Sequence, residues 1–139
     1  MTELFNKVIT IYNDIPSDGV NPRRFERHVV PRCLISVGTA ESVSGTIQNI
    51  VNAVTLVTKS VANYKSPSEY AKLPEDVRQR FYTAQIDDFV VFDEVDDLVE
   101  TAKEFQSLQN KYKNQGMIIS SVNENLYGLA VDNVTMTSV

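Results

Sequence analysis

Short apolar and β-branched runs, separated by polar turns, dominate the chain and predict a structure built mainly from β-strands. The first two strands, over residues 8–12 and 25–34, would form a hairpin with an open tip of roughly ten residues. Pro31 lies inside the second run and predicts an edge position or a bulge, because proline cannot donate to a strand ladder. Further strands are predicted over residues 53–58, 89–92, 116–122 and 133–136.

The connections between these strands differ in composition. Residues 38–48 are dominated by Ser, Thr, Gly and Glu, which predicts a mobile loop. The last two runs would pair as a terminal hairpin, with its turn among residues 123–128, where asparagines and a glycine are concentrated.

A first pair of helical turns is predicted in the middle of the chain. Ser66 would cap the helix, Pro67 suits its first position, and Glu69 would complete a capping box. Pro74 interrupts this helix, so a second short turn is expected over residues 74–80.

A later helix is predicted from one apolar face, formed by Ala102, Phe105, Leu108 and Tyr112. Two capping pairs would fit its start, Asp97 with Glu100 or Thr101 with Glu104. Gly116 is expected to end it.

Together these elements predict the α+β class, mainly β, as a small β-barrel or sandwich with one or two short helices and long loops. The 139 residues fit a single domain over residues 1–139, since domains cluster near roughly 100–150 residues. No apolar run approaches the ~20 residues of a membrane-spanning helix, and the first residues lack the pattern of a secretory signal. Cys33 is the only cysteine, which excludes an internal disulfide.

The net charge of −5 argues against general affinity for nucleic acid, which needs surplus Lys and Arg. Seven acids lie between residues 87 and 100, but their spacing does not match a calcium loop, so we interpret them as a solvated loop or a contact surface. An arginine cluster lies earlier in the chain. Complementary patches of this kind suit head-to-tail assembly, and the residues expected at intersubunit or partner contacts are Arg23, Arg24, Arg27, Asp93, Glu94, Asp96 and Asp97.

Candidates for catalysis are few. His28 is the only histidine and has no triad or metal-site signature near it, and Cys33 lies in an apolar run that favours a buried hydrophobe over a nucleophile. The five glycines are scattered and form no phosphate-binding loop. We therefore expect no enzyme, no metal and no cofactor.

A series of short segments runs in order along nearly the whole chain: TIYN (10–13), RHVV (27–30), NAVTLV (52–57), YKSPSEY (64–70), DFVVFDEVDD (88–97), LQNKY (108–112) and IISSVN (118–123). This order resembles a family of small head-completion, or minor capsid, proteins of long-tailed phages of Gram-positive bacteria. The chain departs from that pattern at residues 36–38 and 131–133, where the family often has an aromatic residue nearby.

The resemblance implies a virion structural protein of the head–tail connector, a head-closure (stopper) or adaptor subunit that forms a homo-oligomeric ring between portal and tail. Its expected partners are neighbouring connector, portal or tail proteins, with packaged DNA held only by enclosure and no membrane contact. It would be assembled in the host cytoplasm and end in the virion. The alternatives are a tail terminator or tail-completion protein, a small metal-binding or hydrolase module, and a nucleic-acid-binding regulator.

Overall fold

The computed structural model describes residues 6–17, 23–44, 47–128 and 130–138. In chain order the elements are β1 (Lys7–Ile15), β2 (Arg24–Ser44), β3 (Ile47–Thr58), α1 (Pro67–Lys72), α2 (Glu75–Arg78), β4 (Phe89–Val91), α3 (Ala102–Lys111), β5 (Gly116–Ile118), β6 (Ser121–Tyr127) and β7 (Ala130–Ser138). The predicted tip of the first hairpin lies partly in residues 18–22, outside the described residues.

The strands form one antiparallel sheet of seven strands in the order β5-β4-β1-β2-β3-β7-β6. The sheet curls into a half-barrel, which confirms the predicted mainly β class with few short helices. Ile119 and Ser120 connect β5 and β6, the strands at the two edges of the sheet. Ile119 N–H donates to the Asp88 carbonyl (2.9 Å), next to β4, and Ser120 N–H donates to the Thr137 carbonyl (2.7 Å) of β7. These bonds draw the two edges towards each other.

A bulge bends the longest strand. Lys7 of β1 pairs with Cys33 of β2, and Ile9 pairs with Val30. One residue therefore lies between the pairs on β1 and two lie between them on β2, which is a bulge of one extra residue. Pro31 lies in this interval, so the predicted bulge is confirmed, while the edge alternative is wrong because β2 pairs on both sides. Beyond the bulge β2 changes its partner from β1 to β3, and added twist at a bulge helps the sheet curl.

The predicted loop over residues 38–48 is wrong for the part that the structure describes. Residues 38–44 of β2 pair in register with residues 47–53 of β3. Ser- and Thr-rich composition was misleading here, because a self-paired hairpin satisfies its backbone whatever its side chains.

The end of the chain also differs from the prediction. Residues 116–118 form β5 and pair with β4 instead of entering the terminal hairpin, which consists of β6 and β7. Residues 123–125 lie within β6, and the chain turns at Gly128, which has a φ of 68°.

Apolar side chains fill both faces of the sheet. Alternate side chains of β1 point to opposite faces of the sheet, so Ile9 and Ile11 belong to one core and Tyr12 belongs to the other. The first core contains side chains from six strands, among them Val30, Leu56, Val90, Met117, Val134 and Met136.

The second core lies under α3. Phe105 and Leu108 of the helix pack on Tyr12, Phe25, Phe89 and Val91, and the rings of Phe25 and Phe105 are stacked at 4.5 Å. Of the two predicted capping pairs, Thr101 with Glu104 is the one observed, because Glu104 N–H donates to the Thr101 hydroxyl at 3.1 Å. At α1, Ser66 occupies the predicted cap position but its side chain makes no capping hydrogen bond.

Candidate interaction surface

The first two predicted contact arginines are engaged within the subunit. Arg23 donates to both carboxylate oxygens of Asp14 (2.9 and 2.7 Å) and lies over the Phe25 ring. Arg24 forms an ion pair with Glu75 at 2.8 Å, which ties β2 to α2. These two arginines therefore form ion pairs within the subunit at the start of β2 and do not form a separate basic patch.

The third arginine meets the acidic segment of its own subunit. Arg27 Nε donates to the Val95 carbonyl at 2.6 Å, and its Nη2 lies 3.4 Å from an Asp96 oxygen. The Asp96 side chain is fully exposed, so this ion pair contributes little energy. The structure thus brings one arginine of the predicted basic patch to the predicted acidic patch within one chain.

Asp97 has a structural role. Its carboxylate accepts hydrogen bonds from Lys111 (2.7 Å) and Tyr112 (2.8 Å), and its carbonyl accepts one from Tyr12 (2.7 Å). The Lys111 hydrogen bond and then the Tyr112 hydrogen bond lower the pKa of Asp97. This residue anchors the acidic segment to α3 and β1.

Three of the four predicted acids remain available to a partner. Asp93, Glu94 and Asp96 are exposed on the segment between β4 and α3. The segment is fixed at its base, because the Thr10 hydroxyl donates to the Asp93 carbonyl (2.7 Å) and accepts from Val95 N–H (3.0 Å). The acids are therefore presented on a defined support.

A buried polar group that sequence reasoning missed lies at one end of the half-barrel. Asp88 is 1 % exposed, and its carboxylate accepts hydrogen bonds from the Asn13 amide (2.8 Å) and Asp14 N–H (3.1 Å). Asn13 in turn binds the backbone of Thr83 through both atoms of its amide. Burial raises the pKa of Asp88 to about 7. The adjacent Asp87, with a φ of 77°, marks the turn that directs Asp88 inward.

The two residues first considered for catalysis have structural surroundings. Burial and the charge of Arg27 lower the pKa of His28 to about 4, and its Nε2 lies 3.5 Å from the Tyr70 hydroxyl. Burial raises the pKa of the Cys33 thiol to about 11, so the thiol is protonated at neutral pH. The described residues contain no group of three His, Cys, Asp or Glu side chains that could hold a metal ion.

Two other surfaces stand out, and neither was predicted. One is a groove of about 530 Å³ along β5, beside Ile86 and Ile118. The other is the end of the β6–β7 hairpin, where Leu126 and Tyr127 are 60 % and 84 % exposed. Exposed apolar residues grouped in this way are a recognised feature of interaction sites.

A third feature is the distal part of strands β2 and β3, which we call the arm (residues 38–44 and 47–53). Pairing of β1 with β2 ends at Cys33, and pairing of β7 with β3 ends at Val54. Within the described part of the chain, the strands of the arm pair only with each other, over seven successive residue pairs. At roughly 3.3 Å per residue the arm extends about 20 Å from the half-barrel.

These features define a small, mainly β half-barrel with an extended hairpin and several exposed contact surfaces. The chain belongs to a family of unknown function (DUF6751), whose match spans residues 4–137. No curated protein and no solved structure is significantly similar to it. None of the helices in the described ranges is long and apolar enough to cross a membrane.

Proposed function

We propose that this chain is a virion structural protein of a phage head–tail connector, a head-closure or adaptor subunit that forms a ring between portal and tail. The order of segments described above supports this proposal along nearly the whole chain. No enzymatic role is proposed, because the perturbed groups Asp88, His28 and Cys33 all have structural surroundings.

The arm is the observation that carries the proposal beyond the resemblance. Within the described residues the two strands of the arm pair only with each other, and an isolated two-stranded hairpin is marginally stable in water. Such a segment gains stability when neighbouring subunits or partner proteins contact it. An arm of about 20 Å is long enough to reach beyond its own subunit into an assembly.

Charge supports enclosure of DNA rather than binding to it. The net charge of −5 and the exposed acids Asp93, Glu94 and Asp96 would repel the phosphate backbone. In a ring, a weakly acidic inner wall would let the double helix pass. Any acidic side chains that face away from this wall would be free to contact a basic partner.

Deletion of the reading frame from the phage or prophage that encodes it tests this proposal. A head-closure or adaptor role predicts heads that lack tails and lose their DNA, seen by electron microscopy and by nuclease sensitivity of the packaged genome. Supply of the intact chain from a plasmid should restore infectious particles. Normal tailed particles that retain DNA without the protein would refute the proposal.

The same experiment separates the tail-terminator alternative. Loss of a terminator should leave heads that are full and resistant to nuclease, together with unattached tails of irregular length. Loss of a connector subunit should instead leave tails of normal length, because tail assembly is then complete.

A further inference from the structure

Exposed apolar side chains are concentrated at two places, the end of the β6–β7 hairpin and the groove along β5 near the start of β6. Among the described residues, the large hydrophobic side chains that are exposed are Val8, Ile86, Leu98, Ile118, Leu126 and Tyr127. Two of these, Leu126 and Tyr127, form the tip of the β6–β7 hairpin, which we call the tip. Two others, Ile86 and Ile118, lie beside the groove at its root.

The root groove has the features of a receiving site. Its lining includes Phe89, Met117 and Ile118 with Lys113 and Asp87 among the polar residues, and its volume of about 530 Å³ lies in the range of pockets that hold small ligands. The groove follows β5, which is an edge strand of the sheet.

Backbone groups of β5 are also available at this edge. Phe92 N–H donates to the Gln115 carbonyl and Ile119 N–H donates to the Asp88 carbonyl, so the odd-numbered residues face β4. Because alternate residues of an antiparallel strand direct their backbone groups to opposite sides, Gly116 and Ile118 direct theirs outward. An incoming chain can therefore gain hydrogen bonds as well as apolar contacts.

The tip is suited to enter such a site on another molecule. It lies at the far end of β6, about 20 Å from the groove at roughly 3.3 Å per residue. Residues 121–138 contain two carboxylates, Glu124 and Asp132, and no Lys or Arg. The groove offers Lys113 as a cation, for which no ion pair is found within the described ranges, together with one acid, Asp87.

We propose that the tip of one copy of this chain, Leu126 and Tyr127, inserts into the root groove of the next copy, with Glu124 placed near Lys113. Tip and groove are different surfaces of the same molecule, so the contact is heterologous, and repetition with the right rotation closes a ring. This inference rests on the proposed function, because it describes how the subunits of that ring meet.

The size of the contact predicts weak pairing of free subunits. A buried aromatic side chain contributes about 150–250 Å², whereas a stable interface needs roughly 1,200–2,000 Å² in total. A single tip in a groove is therefore a minor interface in solution. Ring closure, or assembly on a portal, strengthens it by raising the effective concentration of neighbouring surfaces.

Chemical cross-linking between two differently tagged full-length proteins detects such a weak contact. One protein carries Asn125→Cys next to the tip, and the other carries Gln109→Cys on the lining of the groove, so Leu126, Tyr127 and Ile118 stay in place. A short bismaleimide joins cysteines that lie close together. The matched control replaces the second protein with Leu98→Cys, an exposed position (73 %) that does not line the groove. The native thiol, Cys33, is buried and should give only the background seen with the unmodified chain.

We expect several-fold more heterodimer from the tip–groove pair than from the tip–Leu98 pair. Lys113→Glu in the groove protein should reduce the yield, and Glu124→Lys in the tip protein should restore it when the two are combined. Each variant must keep the circular dichroism spectrum and urea midpoint of its parent. Equal yields for the two pairs, or no rescue by the charge exchange, would overturn the proposal.

These outcomes are separate from the test of function. Failure of cross-linking with a tail-less deletion phenotype would reject the tip–groove contact and leave the connector role in place. Efficient cross-linking with normal particles after deletion would support self-association and reject the connector role.

Discussion

Replacement of Asp88 by asparagine is expected to change how the stability of the fold depends on pH. Both carboxylate oxygens accept hydrogen bonds from N–H donors, the Asn13 amide and Asp14 N–H. Asn13 cannot reverse its amide, because its other contacts are fixed by the backbone of Thr83. Asp88→Asn would place an NH₂ group against one of these donors, which costs about 1–3 kcal/mol relative to the ionised carboxylate.

The pH dependence follows from the raised pKa. Burial moves the pKa of Asp88 from 3.8 to about 7, so the folded state holds its proton more tightly than the unfolded state. The stability this provides is fully present below the ordinary pKa and is lost as pH rises through the folded pKa. A difference of about three pKa units corresponds to about 4 kcal/mol.

His28 acts in the opposite direction. Its pKa falls from 6.5 to about 4, mainly because it is buried. The stability it provides is present above the ordinary pKa and is lost as pH falls towards the folded pKa, which amounts to about 3 kcal/mol in total. Between about pH 4.5 and 6.5 the two contributions nearly cancel, each changing by about 3 kcal/mol. Glu26, whose pKa is also raised by burial, adds to the Asp88 contribution.

Urea unfolding across this pH range measures the balance, followed by circular dichroism or by tyrosine fluorescence, since the chain has six tyrosines and no tryptophan. The natural chain should show a nearly flat profile. Asp88→Asn should gain stability as pH rises, by up to about 3 kcal/mol, and His28→Gln should lose a similar amount. If all three proteins had parallel profiles, the two groups would not be titrating as described.

Three further substitutions should destabilise the fold, each measured by urea unfolding. Asn13→Ala should cost about 2–4 kcal/mol, because it leaves the buried backbone N–H and carbonyl of Thr83 and one oxygen of the Asp88 carboxylate without their partner. Thr101→Ala should cost about 1 kcal/mol through loss of the α3 cap. Gly116→Ala should cost about 1–3 kcal/mol, since its Cβ would lie 2.6 Å from the Val90 carbonyl oxygen.

Matched controls lie in the same chain. Asn123→Ala removes an exposed asparagine and Ser107→Ala an exposed helical hydroxyl, and both should stay within about 0.5 kcal/mol of the natural chain. Gly128→Ala has no steric neighbour but a φ of 68°, so its cost of about 1–2 kcal/mol would come from the backbone alone. Equal effects of Asn13→Ala and Asn123→Ala, or of Thr101→Ala and Ser107→Ala, would contradict the assigned contact.

Much of the candidate surface could be named from the sequence, but not its arrangement. The sequence shows which charged residues are present, and their role at contacts stays a prediction. Their partners depend on strand order, since pairing of Arg27 with Tyr12 across β1 and β2 is what brings the arginine to Val95. The groove was missed because Ile86 and Ile118 become neighbours only when β5 returns beside β4.

Several elements depend on local chemistry and could be predicted from the residues alone. β-branched runs predicted the strands, the Thr101–Glu104 pair and one apolar face predicted α3, and Pro31 predicted a bulge. Each of these follows from interactions within a few residues, such as a cap, a helical period or a missing N–H donor.

Other features depend on the pairing of distant backbone segments and could not be predicted from local sequence. Residues 38–48 resemble a loop in composition, yet residues 38–44 and 47–48 lie in strands because β2 and β3 satisfy each other's backbone groups. Gly116, expected only to end a helix, proves necessary where β5 passes close to Val90. Asp88 was one acid in an acidic run until the fold buried it beside Asn13, because burial is a property of the packed chain and not of the segment.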